Sequence, residues 1–328
     1  GWTRNLMDTD KIYTEFFKGC HQNPSTCALS RPQDSSFNDI KRRFETWLHI
    51  LEKTPATSID PTGEVRVLSA SDVRHYMGAL FYVPISNFMN MAYQLNQAMN
   101  GDTRDLFEVA FQAFPPQHSK DGCLLPSNQP SGPNNVEASV PVLCGDGGDV
   151  SGKDAAWWRR YAKQLASQSS ILGPHWANAR FSCSSWPFRS NWPFKGPFSA
   201  PAARKDVKGK PVPGYPAAPN LYVSSRLDPV TPLVNAQLMQ SKYPGSGLVI
   251  VDAVGHTAAA ASGVNKCFSD AIEEYLETGL VPPKTKICQA ECGPWQKWCP
   301  FMFGQTKRSD DHSSQVKWPR FPLGVVFD

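Results

Sequence analysis

The stretch from residue 221 to 278 restricts the possible folds more than any other part of this 328-residue chain. Residues 221–225 and 248–252 are short apolar runs that read as strands, while residues 233–242 and 265–278 repeat apolar positions at helical spacing. Strand, helix, strand, helix is the repeating unit of a parallel sheet. Its crossover is right-handed, so the carboxyl ends of the two strands lie side by side. Two parallel strands alone bury neither the faces nor the edges of a sheet, and residues 1–135 offer no further strand pattern. The expected fold class is α/β, with the remaining strands supplied by a portion of the fold outside these residues.

Upstream of this unit the sequence reads mostly as helix. Residues 1–35 are loop-like, with Ile12, Phe16 and Phe17 suggesting one short helix over 8–17. Ile40, Phe44, Leu48 and Leu51 recur at helical spacing over 38–53. Ser69 or Ser71 is placed to cap a helix through Val73, Tyr76, Met77 and Leu80, with Asp72 in its first turn. Helical patterns over 87–99 and 103–114 follow, so residues 36–114 are expected to be entirely helical. A Pro-, Ser-, Asn- and Gly-rich stretch over 115–135 is expected to be a long surface loop. Residues 138–144 read as a strand or extended segment and 154–169 as a helix. Residues 173–220, with repeated Trp-Pro and Pro-Phe pairs, are expected to form an irregular wall.

Composition narrows the function. A charge of +4 is small for this length and is spread along the chain, so a nucleic-acid partner is not expected. No run approaches the roughly 18 apolar residues of a membrane helix, and no membrane partner or signal peptide is read. No phosphate-binding Gly loop or His-rich ligand cluster appears, so neither a cofactor nor a metal is expected. Nine cysteines without paired Cys-x-x-Cys knuckles point to disulfides in a secreted, extracellular protein rather than to a zinc site. An odd count leaves one thiol free or bonded outside the chain. The opening residue Gly1 reads as a processed or partial sequence.

Two residues carry the chemistry. Asp228 follows the first strand directly, between that strand and Pro229 and Pro232. Catalytic groups in parallel sheets gather beyond the carboxyl ends of strands, yet an Asp here also suits an Asx turn or the cap of the next helix. Both readings stay open on spacing alone. Gly255-His256 follows the second strand, where the glycine lets the backbone turn sharply and expose the imidazole. Acid after one strand and histidine after the next is the order that follows the serine in α/β-hydrolases.

The motifs LYVSSRLDPVTP (221–232), VDAVGH (251–256) and CFSDAIEEYLETGLVPPKTKIC (267–288) resemble the C-terminal signature of the tripeptidyl-aminopeptidase-like α/β-hydrolases, relatives of proline iminopeptidases. LSASDVRHYMGALFYVP (68–84), PVLCGDG (141–147) and CSSWP (183–187) extend the resemblance upstream, to roughly residues 1–290. The resemblance implies a partial α/β-hydrolase fold: a mostly helical cap plus the last strands and helices of the sheet. Residues 1–35 would enter the cap, 36–215 form it, 216–288 carry the acid and histidine loops, and 289–328 make a Cys- and Trp-containing tail. Asp228 would be the triad acid and His256 the general base, acting on a peptide substrate. Disulfides Cys267–Cys288, Cys144–Cys183 and Cys20–Cys27 are implied, with Cys292–Cys299 plausible in the tail and Cys123 left over.

One departure from the family pattern matters. The family nucleophile sits on a Gly-x-Ser-x-Gly turn, and these residues contain none. Gly148 to Gly152 has its serine in the wrong register. The resemblance therefore implies that the serine, the oxyanion donors and the N-terminal half of the fold lie outside this chain. The expected function is the C-terminal part of a secreted serine aminopeptidase. The alternative is a non-catalytic remnant serving as a binding or structural module. Three lesser candidates have plain structural readings: Trp157 and Trp158 as cap packing, His175 as a wall residue, and Asp146 with Asp149 as loop carboxylates too few for a calcium site.

Overall fold

A computed structural model describes residues 3–59, 65–107, 135–189, 191, 206–210 and 219–296. The chain begins with helix α1 (Thr9–Gln22), followed by α2 (Phe37–Lys53), a hairpin of β1 (Ala56–Ile59) and β2 (Val65–Leu68), then α3 (Ala70–Leu80) and α4 (Pro84–Met99). Helices α5 (Asn135–Asp146), α6 (Ala155–Gln168) and α7 (Gly173–Phe181) follow, the last running into a single 3-10 turn at Ser182–Ser185. The C-terminal unit is β3 (Leu221–Leu227), α8 (Leu233–Lys242), β4 (Gly247–Val254), α9 (Ala258–Ser262), α10 (Lys266–Thr278) and β5 (Lys286–Gln289).

Local chemistry explains most of the boundaries. Ser69 caps α3 reciprocally: Asp72 N donates to Ser69 Oγ at 3.3 Å, and Ser69 N to Asp72 Oδ2 at 2.8 Å. Of the two candidate caps, Ser69 holds the position. Asp154 caps α6 by accepting from Trp157 N at 2.7 Å, and Asn265 caps α10 by accepting from Phe268 N at 2.9 Å. Pro84 opens α4 at a first-turn position, where its missing N–H costs no hydrogen bond.

Several expectations are corrected. Residues 36–114 are not entirely helical. Pro55 disfavours helix at Thr54, and the β-branched residues of 56–59 and 65–68 pair as an antiparallel hairpin, Ala56 opposite Leu68 and Ile59 opposite Val65. Residues 138–144 are helix, not strand. Valines and an internal Pro141 argue locally against α5, but Cys144 is buried with Val150 and Cys183, packed by Val140, Trp157, Trp158 and Trp186. Tertiary packing overrides a weak local preference there. Part of the irregular wall, residues 173–185, is helical too. The expected loop over 115–135 and the last part of the 103–114 helix lie largely outside the described residues, as do Cys123 and Cys299.

Among the described residues the C-terminal sheet has three strands, ordered β3-β4-β5 and all parallel. β5 carries little strand signal in sequence, because only Ile287 and Cys288 of its four residues are apolar. Central β4 is buried along most of its length, as a parallel strand covered on both faces must be. Between Ser225 and Leu227 the β3–β4 register shifts: Ser225 lies opposite Val251 but Leu227 opposite Val254. This bulge, with its extra residue on β4, bends the ladder just before Asp228 and Gly255.

The larger core joins the helices to this sheet. Phe16 and Phe17 of α1, Phe44 of α2, Phe81 and Phe88 pack in one buried cluster that also includes Leu227 and Trp295. α1 is longer than expected and fully engaged. At Gly19 a Cβ would fall 2.1 Å from the Trp295 indole nitrogen, so only glycine admits that contact. The expected disulfides Cys20–Cys27, Cys144–Cys183 and Cys267–Cys288 are all formed.

Candidate active site

β3 delivers Asp228 and β4 delivers His256, each just past the carboxyl end of its strand. Asp228 is 1% exposed. Its Oδ1 accepts from Val230 N at 2.9 Å and Thr231 N at 2.7 Å, and its Oδ2 accepts from Thr257 N at 2.8 Å. His256 Nδ1 lies 3.1 Å from both carboxylate oxygens. One side chain thus forms the Asx turn and meets the imidazole, its two oxygens serving both at once.

A carboxylate only accepts, so its partner nitrogen Nδ1 carries the hydrogen and the lone pair falls on Nε2. The His256 side chain is 26% exposed, which leaves the ring open to a reactant. Burial by itself would raise the Asp228 pKa. The hydrogen bond and charge of His256, with the N–H groups of Thr257 and Val230, outweigh it and hold the carboxyl below its ordinary range.

The histidine loop is fixed from several sides. Gly255 N donates to Leu227 O at 2.9 Å, and Ser225 Oγ donates to Gly255 O at 2.6 Å. Gly255 has φ +139, and a Cβ there would lie 2.7 Å from Pro84 Cδ and 3.0 Å from Tyr82 O. His256 N donates to Tyr82 O at 2.7 Å. Thr257 holds φ +61, a strained conformation for a β-branched residue, while its hydroxyl caps α9 by accepting from Ala260 N at 3.3 Å. On the acid side, Thr9 Oγ1 donates to Pro229 O at 2.7 Å, tying α1 to the Asp228 loop.

Asp252, an acid on β4 four residues before His256, is turned to a different partner: Arg226 Nε donates to it at 2.5 Å across the strands. The lesser candidates fall in separate places. Trp157 stacks on Tyr161 with ring centroids 5.2 Å apart, a packing contact. Asp149 accepts from Arg189 Nη2 at 2.8 Å and from Ser151 N at 2.8 Å. The Arg189 bond chiefly holds Asp149 below the ordinary carboxylate range. His175 packs against His75, ring centroids 4.2 Å apart. Among the described residues no group of three or more His, Cys, Asp or Glu side chains is placed to hold a metal ion, and no helix is long and apolar enough to cross a membrane. The sequence reading missed Tyr82, Ser225 and Thr257. No local pattern marks Tyr82, since its relation to His256 exists only in three dimensions.

Parallel strands carrying a buried Asp after one and a His after the next define the class: this is part of an α/β-hydrolase fold. Residues 169–288 match the family described as TAP-like protein, so over that stretch the chain is similar to the TAP-like α/β-hydrolases. It is similar to the tripeptidyl aminopeptidases of Streptomyces lividans and Streptomyces coelicolor, 27% identical to each over 180 residues. Those matches cover 48% of this chain and 30% of each relative, so the chain spans about a third of the length of the curated relatives it matches.

Proposed function

We propose that Asp228 and His256 are the acid and general base of a serine aminopeptidase that is secreted and acts at peptide N-termini. The observation that carries this is the pair itself, a buried carboxylate placed by its turn to hold Nδ1 at 3.1 Å while Nε2 remains for proton transfer. In such a triad His256 Nε2 takes the serine proton and later returns it to the leaving amine. Asp228 fixes the tautomer and stabilises the imidazolium. The peptide substrate class rests on the similarity to tripeptidyl aminopeptidases, and the secreted location on the three disulfides among the described residues. The regions entering and forming the cap, residues 1–35 and 36–215, would restrict access to the site, with 216–288 as catalytic core and 289–328 as tail.

The nucleophile, in this reading, comes from outside these 328 residues, together with the oxyanion donors and the rest of the sheet. A fluorophosphonate probe tests it. The 328-residue chain alone is expected to stay unlabelled, and the same chain completed by the in-frame upstream coding sequence to label at one serine. Capture by the chain alone, abolished by His256→Ala, would overturn the assignment. The absence of a Gly-x-Ser-x-Gly turn also favours a second reading, a non-catalytic module. That reading predicts no such turn encoded upstream and no labelling of either product.

A further inference from the structure

We infer that Tyr82, in the turn between α3 and α4, is a positioning residue for His256 and couples the seating of the helical region to the orientation of the general base. The inference rests on the functional reading of the Asp228–His256 pair. The Tyr82 ring meets the imidazole edge to face, with centroids 5.0 Å apart and planes at 68°. The same residue accepts the His256 backbone N–H through its carbonyl at 2.7 Å. Side chain and main chain of one residue thus grip both the ring and the backbone of another, 174 positions away in sequence.

Two neighbours show that the contact is built into the fold. Gly255, the residue before His256, has no room for a Cβ because Tyr82 O and Pro84 Cδ close over it. Phe81, immediately before Tyr82, is buried in the main helical core. The turn is therefore anchored in the helices on one side and pressed on the histidine loop on the other. The Tyr82 phenol is pushed up to about 12 by burial, aided by the Asp228 charge, so it stays neutral and adds no charge beside the pair. A rotation of α3 and α4 away from the sheet would withdraw both contacts together. The imidazole would keep its Asp228 bond but lose the wall that limits its swing.

The chain carries its own readout, the Nδ1 proton that His256 shares with Asp228, followed by low-field proton NMR. Tyr82→Phe keeps ring and carbonyl and is expected to leave the resonance and its exchange with water unchanged. Tyr82→Met fills similar volume without a ring and is expected to speed that exchange roughly two- to tenfold, the size an aromatic pair confers. Equal exchange in Tyr82→Met and the unsubstituted chain would overturn the inference while leaving the Asp228–His256 pair standing. A resonance missing from the unsubstituted chain, or one present there but unaffected by Asp228→Asn, would overturn the pair and this inference with it. Should Tyr82→Met fail to fold, cross-relaxation between the Tyr82 and His256 ring protons in the unsubstituted chain decides: its presence supports the contact, its absence overturns it.

Discussion

Asp228 answers to four hydrogen donors, three on the backbone and one on the imidazole, and is itself buried. Replacing it by Ala leaves those donors unpaired, so Asp228→Ala is expected to lower stability by about 2–4 kcal/mol in denaturant unfolding. Its depressed pKa sets the sign with pH. The carboxylate contributes stability above the ordinary Asp range, and that contribution is lost as pH falls through the folded value. Gly255→Ala is expected to cost about 1–3 kcal/mol, since φ +139 and the closeness of Pro84 and Tyr82 leave no relaxed place for the methyl. A fully stable Gly255→Ala chain by the same unfolding measurement would contradict the close packing of the histidine loop. Asp228 and His256 were legible in sequence because each follows its own strand, within reach of a local motif. Tyr82 was not, because nothing near residue 82 announces a partner at 256.

At the scale of elements, α3 and α7 meet through His75 and His175. Burial, then the neighbouring His175, lowers the His75 pKa to about 4 against the opposing Asp72, and burial lowers that of His175. A histidine depressed on folding binds its proton more readily when unfolded. Stability is therefore expected to fall as pH drops from about 6.5 toward 4. His75→Gln should flatten that part of the melting-temperature profile, and an unchanged slope would show that the pair does not titrate as its surroundings require. Elements whose cues are local, such as α2, the Ser69-capped α3 and the strands at 221 and 247, were readable beforehand. The β1–β2 hairpin, α5 and β5 were not. In α5 a disulfide and three tryptophans override valines and a proline, and β5 is fixed by pairing with β4 and by the Cys267 link.

Across the described residues, one apolar cluster runs from α1 through α4 to Leu227 and Trp295, with the Cys20–Cys27 link inside it, while Cys144–Cys183 and Cys267–Cys288 lie in two smaller clusters. Replacing Cys267 and Cys288 together by Ala, which opens a link across 21 positions, is expected to cost about 2–5 kcal/mol. Non-reducing peptide mapping that finds those cysteines as free thiols would remove the basis for a secreted location. The central claim, that Asp228 and His256 form the working acid and base of a peptidase, is tested most directly by rate. The measurement is kcat/KM for release of N-terminal peptides by the chain completed with its upstream sequence, compared with its Asp228→Asn variant. A fall of roughly ten-thousandfold is expected, carried by kcat with KM little changed. An Asn variant as active as the unsubstituted enzyme would contradict it.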